Sequence, residues 1–129
     1  MRTLGIDYGR KKIGLAISEI GLAEPLRVIR YADIKILCEQ IKKIVEEEKI
    51  DNIIVGVSEG QMAKETKEFL KTIRYTLNPI PCETFDETLT SQDAQRLSQE
   101  AEIPRKKRRE MEDAYAASLM LQNYLDIRS

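Results

Sequence analysis

The chain has 129 residues, with 21 basic and 22 acidic side chains and a formal net charge of -1, so the placement of charge says more than its sum. That length supports one domain with a real hydrophobic core and is short for two, and the absence of histidine removes Ser-His-Asp and Cys-His triads and histidine zinc sites, leaving catalysis to carboxylates, hydroxyls or lysines. Cys38 and Cys82 are far apart without metal-ligand spacing, as suits buried thiols in a reducing compartment, and no apolar run approaches the roughly 20 residues of a membrane span or forms a signal core, so the expectation is a soluble, unprocessed cytoplasmic protein.

The chain opens on Thr3-Leu4-Gly5-Ile6, a short apolar run ending at Asp7. Tyr8-Gly9 breaks it, Arg10-Lys11-Lys12 puts three cations in the turn, and Ile13 to Ser18 resumes it, the pattern of a β-hairpin. Asp7 then stands at a strand end beside glycines that leave the backbone open to a ligand or metal. The plainer role is turn chemistry, since Asp hydrogen-bonds its own backbone there, and the hairpin alone does not choose between the two. Leu22 to Tyr31, with Pro25 near its start, reads as the third strand of an antiparallel meander.

From Asp33 the period changes to three and four, with Ile34, Leu37, Ile41, Ile44 and Val45 forming one apolar stripe. This predicts an amphipathic helix capped by Asp33 and ending near Lys49. Ile50 to Val57 is β-branched and almost continuously apolar, as in a parallel strand covered on both faces. Gly56 to Gly60 reads as a loop, and Met62 to Leu77 as a second helix with Phe69, Leu70, Ile73 and Leu77 inward, stopped by Asn78-Pro79. Pro81 to Phe85 is a short last strand leading into Asp86-Glu87-Thr88-Leu89-Thr90-Ser91. Thr90 or Ser91 caps a third helix to about Glu100, Ile103-Pro104 interrupts it, and the basic run Arg105-Lys106-Lys107-Arg108-Arg109 precedes a last helix from about Glu110 to Leu125. No repeat or linker divides the chain, so residues 1–129 are expected to form one α/β domain on a mixed sheet.

Ligands of such sheets gather at the carboxyl ends of strands. Asp7 ends the first strand, Asp86 and Glu87 end the last, and Gly56 to Glu59 end the middle one. The last helix offers Glu110, Glu112 and Asp113. Ala114, Ala116 and Ala117 let that turn approach the sheet closely, and Asp113 shares a face with Ala116, Ala117 and Met120. Asp113 therefore points inward while Glu110 is solvated. The alternative, that all three acids complement the positive helix end, suits Glu110 and Glu112 better than an inward acid that needs a partner.

Clustered carboxylates repel unless a cation neutralises them, and an oxygen-only donor set favours a hard ion, Mg2+ or Mn2+. Such ions activate water and stabilise the leaving oxygen in phosphodiester hydrolysis. Asp7 is the candidate central ligand, flanked by Glu87 and Asp113. Arg10, Lys11 and Lys12 beside Asp7, with Arg105, Lys106, Lys107, Arg108 and Arg109 ahead of Asp113, suit a grip on a phosphate backbone. A solvated loop is the alternative for the second run. Aromatic residues make up only 5% of the chain, which disfavours stacking on single-stranded bases.

Three ordered segments carry a family resemblance: Gly5-Ile6-Asp7-Tyr8-Gly9-Arg10-Lys11-Lys12-Ile13-Gly14-Leu15-Ala16, Asp86-Glu87-Thr88-Leu89-Thr90-Ser91, and Asp113-Ala114-Tyr115-Ala116-Ala117 with Leu121-Gln122-Asn123-Tyr124-Leu125. Together they resemble the YqgF/RuvX family over essentially the whole chain. The resemblance implies a ribonuclease H-like fold with a five-stranded mixed sheet, three antiparallel strands followed by two parallel ones. It also implies a bacterial cytoplasmic nuclease tied to ribosome biogenesis through maturation of the 5' end of 16S ribosomal RNA, or a Holliday junction resolvase. Asp7, Glu87 and Asp113 match the family's acidic positions. Two departures stand out: Thr88 replaces the family's usual Arg after the Asp-Glu pair, and Gly56-Val57-Ser58-Glu59-Gly60 replaces its Gly-Leu-Pro loop. Glu59 is thus a further ligand candidate, or a solvated loop glutamate.

The leading expectation is a metal-dependent endonuclease on structured RNA, with precursor 16S rRNA the implied substrate and ribosomal particles as further partners. A junction resolvase acting on DNA would require a dimer to cut two strands symmetrically. An actin- or Hsp70-like ATPase shares the Asp-x-Gly hairpin, but that architecture needs two such domains. A non-catalytic RNA-binding factor is the remaining class.

Overall fold

The computed structural model describes residues 1–57, 61–86 and 105–128. Five strands, β1 (Thr3–Asp7), β2 (Lys12–Ser18), β3 (Ala23–Arg30), β4 (Asn52–Val57) and β5 (Cys82–Asp86), form one sheet in the order β3-β2-β1-β4-β5. β3, β2 and β1 pair antiparallel, as a hairpin meander must, while β4 and β5 lie parallel to β1 and to each other. Three helices are described: α1 (Ile34–Glu47), α2 (Gln61–Leu77) and α3 (Arg105–Arg128). The mixed sheet, its strand order and its flanking helices are those expected of the ribonuclease H-like fold.

The two faces of the sheet are built from residues of different size. Side chains alternate along a strand, and the central strands read Leu4-Gly5-Ile6-Asp7 and Ile13-Gly14-Leu15-Ala16. Leu4, Ile6, Ile13, Leu15, Ile53 and Val55 point one way and pack with Leu37, Ile41, Phe69 and Ile73 of α1 and α2. Gly5, Gly14 and Ala16 face the other way, where Ala117, Met120, Leu121 and Tyr124 of α3 cover Ala16 and Ile54. Small residues on that face let α3 lie close. A Cβ on Gly5 would come within 3.0 Å of Leu121 Cβ, and one on Gly14 would overlap the Asp113 carbonyl oxygen at 1.9 Å.

Local chemistry sets the element ends. The Asp33 carboxylate accepts from the Lys35 N–H at 2.7 Å and caps α1. α1 closes at Glu47, two residues before the expected end, because Lys49 takes a positive φ of 54° and Ile50 N–H returns to Val45 O at 3.0 Å. α2 stops at Leu77, ahead of Asn78-Pro79 as expected.

Several expected boundaries shift. Lys12 opens β2, so the hairpin turn carries only Arg10 and Lys11 as cations. Gly56 and Val57 complete β4, paired with Phe85 and Asp86 of β5, and so do not begin a loop; the last strand accordingly runs through Asp86. The basic run is the start of α3 itself and no separate segment before it. Arg and Lys are good helix formers, and nothing between Pro104 and Glu110 breaks a helix. α3 also continues to Arg128. The helix expected from Thr90 or Ser91 to Glu100 lies outside the described residues, as do Ser58 to Gly60. Among the described residues no helix is long and apolar enough to cross a membrane.

Candidate functional site

The carboxyl ends of β1, β4 and β5 share one edge of the sheet, because the three strands are parallel. Asp7, the last residue of β1, pairs with Gly14 on β2 and with Gly56 on β4, so glycine flanks it on both sides. It follows Gly5 by two positions, which puts it on the α3 side of the sheet. Asp113 arrives at the same point from the helix, since its own carbonyl is what a Cβ on Gly14 would strike. Gly14 therefore joins the two acids: it is the register partner of one and the seat of the other.

The Asp113 carboxylate is incompletely satisfied. Lys12, two residues before Gly14 and on the same face of β2, brings its ammonium to 3.1 Å from Asp113 Oδ2. Oδ2 is nevertheless buried and accepts no hydrogen bond among the described residues, so the contact is an ion pair without hydrogen-bond alignment. The half-exposed Lys12 ammonium offsets the charge of this oxygen, but the hydrogen bonds that make a buried ion pair favourable are missing. The donors available here are carboxylate oxygens, which fit a hard divalent ion. Among the described residues no three acids or thiols form a cluster able to hold a metal, and Glu87, the third predicted acid, lies just beyond the described end of β5, as Glu59 lies beyond β4. Glu110 is exposed and Glu112 half-buried.

The predicted cations divide. Lys11 is exposed at the turn. Arg10 turns away from the acids to Glu65 of α2, at 3.0 Å. The backbone of Arg105 to Arg109 forms the first turns of α3, ending four residues, about one helical turn, before Asp113. The run and the acid thus belong to one helix.

Residues not singled out in the sequence hold the turn after Asp7. The Tyr8 ring stacks on Phe69 with centroids 4.6 Å apart and lies 6.2 Å from Tyr31. The Tyr31 hydroxyl donates to the Gly9 carbonyl, and its N–H donates to Lys11 O at 3.0 Å. Burial and the neighbouring Tyr8 push the Tyr31 hydroxyl well above its ordinary range, so it serves as a neutral donor. The signal available for this was Tyr8 directly after Asp7, but its partners are 23 or more residues away in the chain. A cavity of about 580 Å3 opens beside Tyr8 between α1 and α2 and contains none of the predicted acids. Cys38 and Cys82 are buried, free thiols. Burial pushes Cys38 up to about 11 and raises Cys82 as well, so both favour the neutral thiol over the thiolate.

Comparison with known proteins identifies the family and the fold. A family model described as "RuvX: Holliday junction resolvase" matches residues 1–127. A protein of Natranaerobius thermophilus named "Putative pre-16S rRNA nuclease" is 37% identical, with 98% of this chain and 94% of that protein aligned. One of the same name from Thermoanaerobacter pseudethanolicus is 38% identical, with 98% and 96% aligned. Among solved structures, Thermus thermophilus RuvC in complex with Holliday junction substrate superposes with a TM-score of 0.64 at 14% identity, covering 99% of this chain and 95% of that one. The fowlpox virus resolvase bound to Holliday junction DNA gives 0.62 at 16% identity, covering 99% of both chains. At those identities the structural likeness establishes the fold.

Proposed function

Because the chain belongs to the RuvX family, we propose that it is a metal-dependent endonuclease that cuts structured RNA, with precursor 16S rRNA as substrate. The relatives' printed names support the RNA. The observation that carries the metal-dependent reading is the buried, hydrogen-bond-free Oδ2 of Asp113, set across Gly14 from Asp7 at the carboxyl edge of the sheet.

Asp7 and Asp113 would hold Mg2+ or Mn2+ together with Glu87, the residue that follows β5. When bound, the ion supplies Lewis-acid stabilisation of charge on the scissile phosphate. The chain's own part is placement. The β1 ladder fixes Asp7, the contact of α3 with Gly14 fixes Asp113, and Lys11 with Arg105 to Arg109 grip phosphates on either side. The protein acts in the cytoplasm as one domain.

The family description favours a second reading, a junction resolvase acting on DNA. Incubating the purified protein and Mn2+ with a precursor 16S fragment and, separately, with a four-way DNA junction decides between them. We expect cleavage of the RNA; cleavage of the junction alone would overturn the assignment. Asp113→Asn should lower Mn2+-dependent cleavage by at least about 100-fold while the protein still melts cooperatively near the wild-type temperature.

A further inference from the structure

Lys12 stands where a phosphate-binding cation is wanted, yet it is engaged with an acid that the proposed metal needs. Its ammonium lies 3.1 Å from Asp113 Oδ2, but that oxygen accepts no hydrogen bond. The pair therefore stands on charge without the hydrogen bonds that would offset its desolvation. The two partners also differ in freedom. The Asp113 backbone is pressed against Gly14, with no room for even a methyl group between them. Lys12 begins its strand on a partly exposed side chain, 38% accessible, with a flexible four-carbon stem. Of the two, the ammonium has the longer reach to leave, on a stem of four carbons, while the Asp113 backbone stays fixed against Gly14.

We propose that Lys12 is an exchangeable counter-ion: it neutralises Asp113 in the metal-free protein, is displaced when a divalent cation takes Oδ2, and then binds a phosphate oxygen of the nucleic acid beside the site. This rests on the metal-binding reading above and adds a coupling to it. Metal and nucleic acid each favour the state in which Lys12 has left Asp113, so each tightens the other by the same factor.

Mn2+ binding, followed by the paramagnetic resonance signal of the free ion, tests this without reference to activity. Lys12→Met removes the competitor and should tighten Mn2+ binding about two- to fivefold, the range set by a partly exposed ion pair. Lys12→Gln should do the same, Lys12→Arg should stay near wild type, and Lys11→Met, which removes an equal charge nearby, should shift the affinity less. Structured RNA should bind wild type more tightly with Ca2+ than without divalent ions, and that gain should shrink in Lys12→Met. If wild type binds Mn2+ while the Lys12→Met and Lys12→Gln proteins bind it equally or more weakly, the exchange is wrong and the metal site stands. If wild type binds no Mn2+, both fail.

Discussion

Gly14 decides more about the site than any charged residue. It pairs with Asp7 and leaves the space that the Asp113 carbonyl fills. A methyl group there would overlap backbone, which cannot rotate away as a side chain tip can. Gly14→Ala should therefore push α3 off the sheet, lowering stability by about 1–3 kcal/mol and Mn2+-dependent cleavage more than that loss explains; urea melts set against cleavage rates check it, and a fully stable, fully active variant would refute the close contact. Asp113 was legible in the sequence because helical periodicity alone puts it on the face of Ala116, Ala117 and Met120, all of which are buried. Gly14 was legible only as a glycine inside a strand, a sign of close approach without a named partner. Its partner is 99 residues later in the chain, and no local rule spans that distance. The pairing of Lys12 with Asp113 was hidden for the same reason.

At the scale of elements, α3 joins the two halves of the proposed activity. Its middle covers the small-residue face of β1 and β2, and its far end is fastened to the sheet: Gln122 accepts from Ala23 N–H at 2.8 Å, and the Tyr124 hydroxyl reaches Glu83 of β5 at 3.1 Å. Its first five residues, Arg105 to Arg109, are all cationic, and the first acid, Glu110, comes only in the second turn. Positive charge at a helix N-terminus opposes the macrodipole, which typically costs 0.3–1 kcal/mol per exposed charge, so the run does not serve helix stability. Replacing Arg105 to Arg109 with glutamine should weaken RNA binding and reduce the slope of log affinity against log salt by roughly one for each phosphate no longer neutralised. Filter binding across a salt series measures this, and an unchanged slope would remove the run from the interface. The apolar period that reveals the helix begins only near Glu110, which is why its start was expected there.

Over the whole molecule, the order of elements and the opening meander were readable because each rests on a local pattern. Short turns give the meander and a continuous apolar run marks the parallel β4, whereas the two packed faces of large and small residues emerge only in the folded sheet. What the patterns do not contain is how distant segments meet, and the site is made of such meetings. Asp7 belongs to the first strand and Asp113 to the last helix, and they come together because β1 is central and α3 crosses its small-residue face. If this convergence is the divalent-cation site proposed above, a crystal soaked in Mn2+ and measured at the manganese edge should show an anomalous peak coordinated by carboxylate oxygens of Asp7, Glu87 and Asp113, with the Lys12 ammonium moved off Oδ2. Manganese bound elsewhere, with Lys12 still on Asp113, would contradict it.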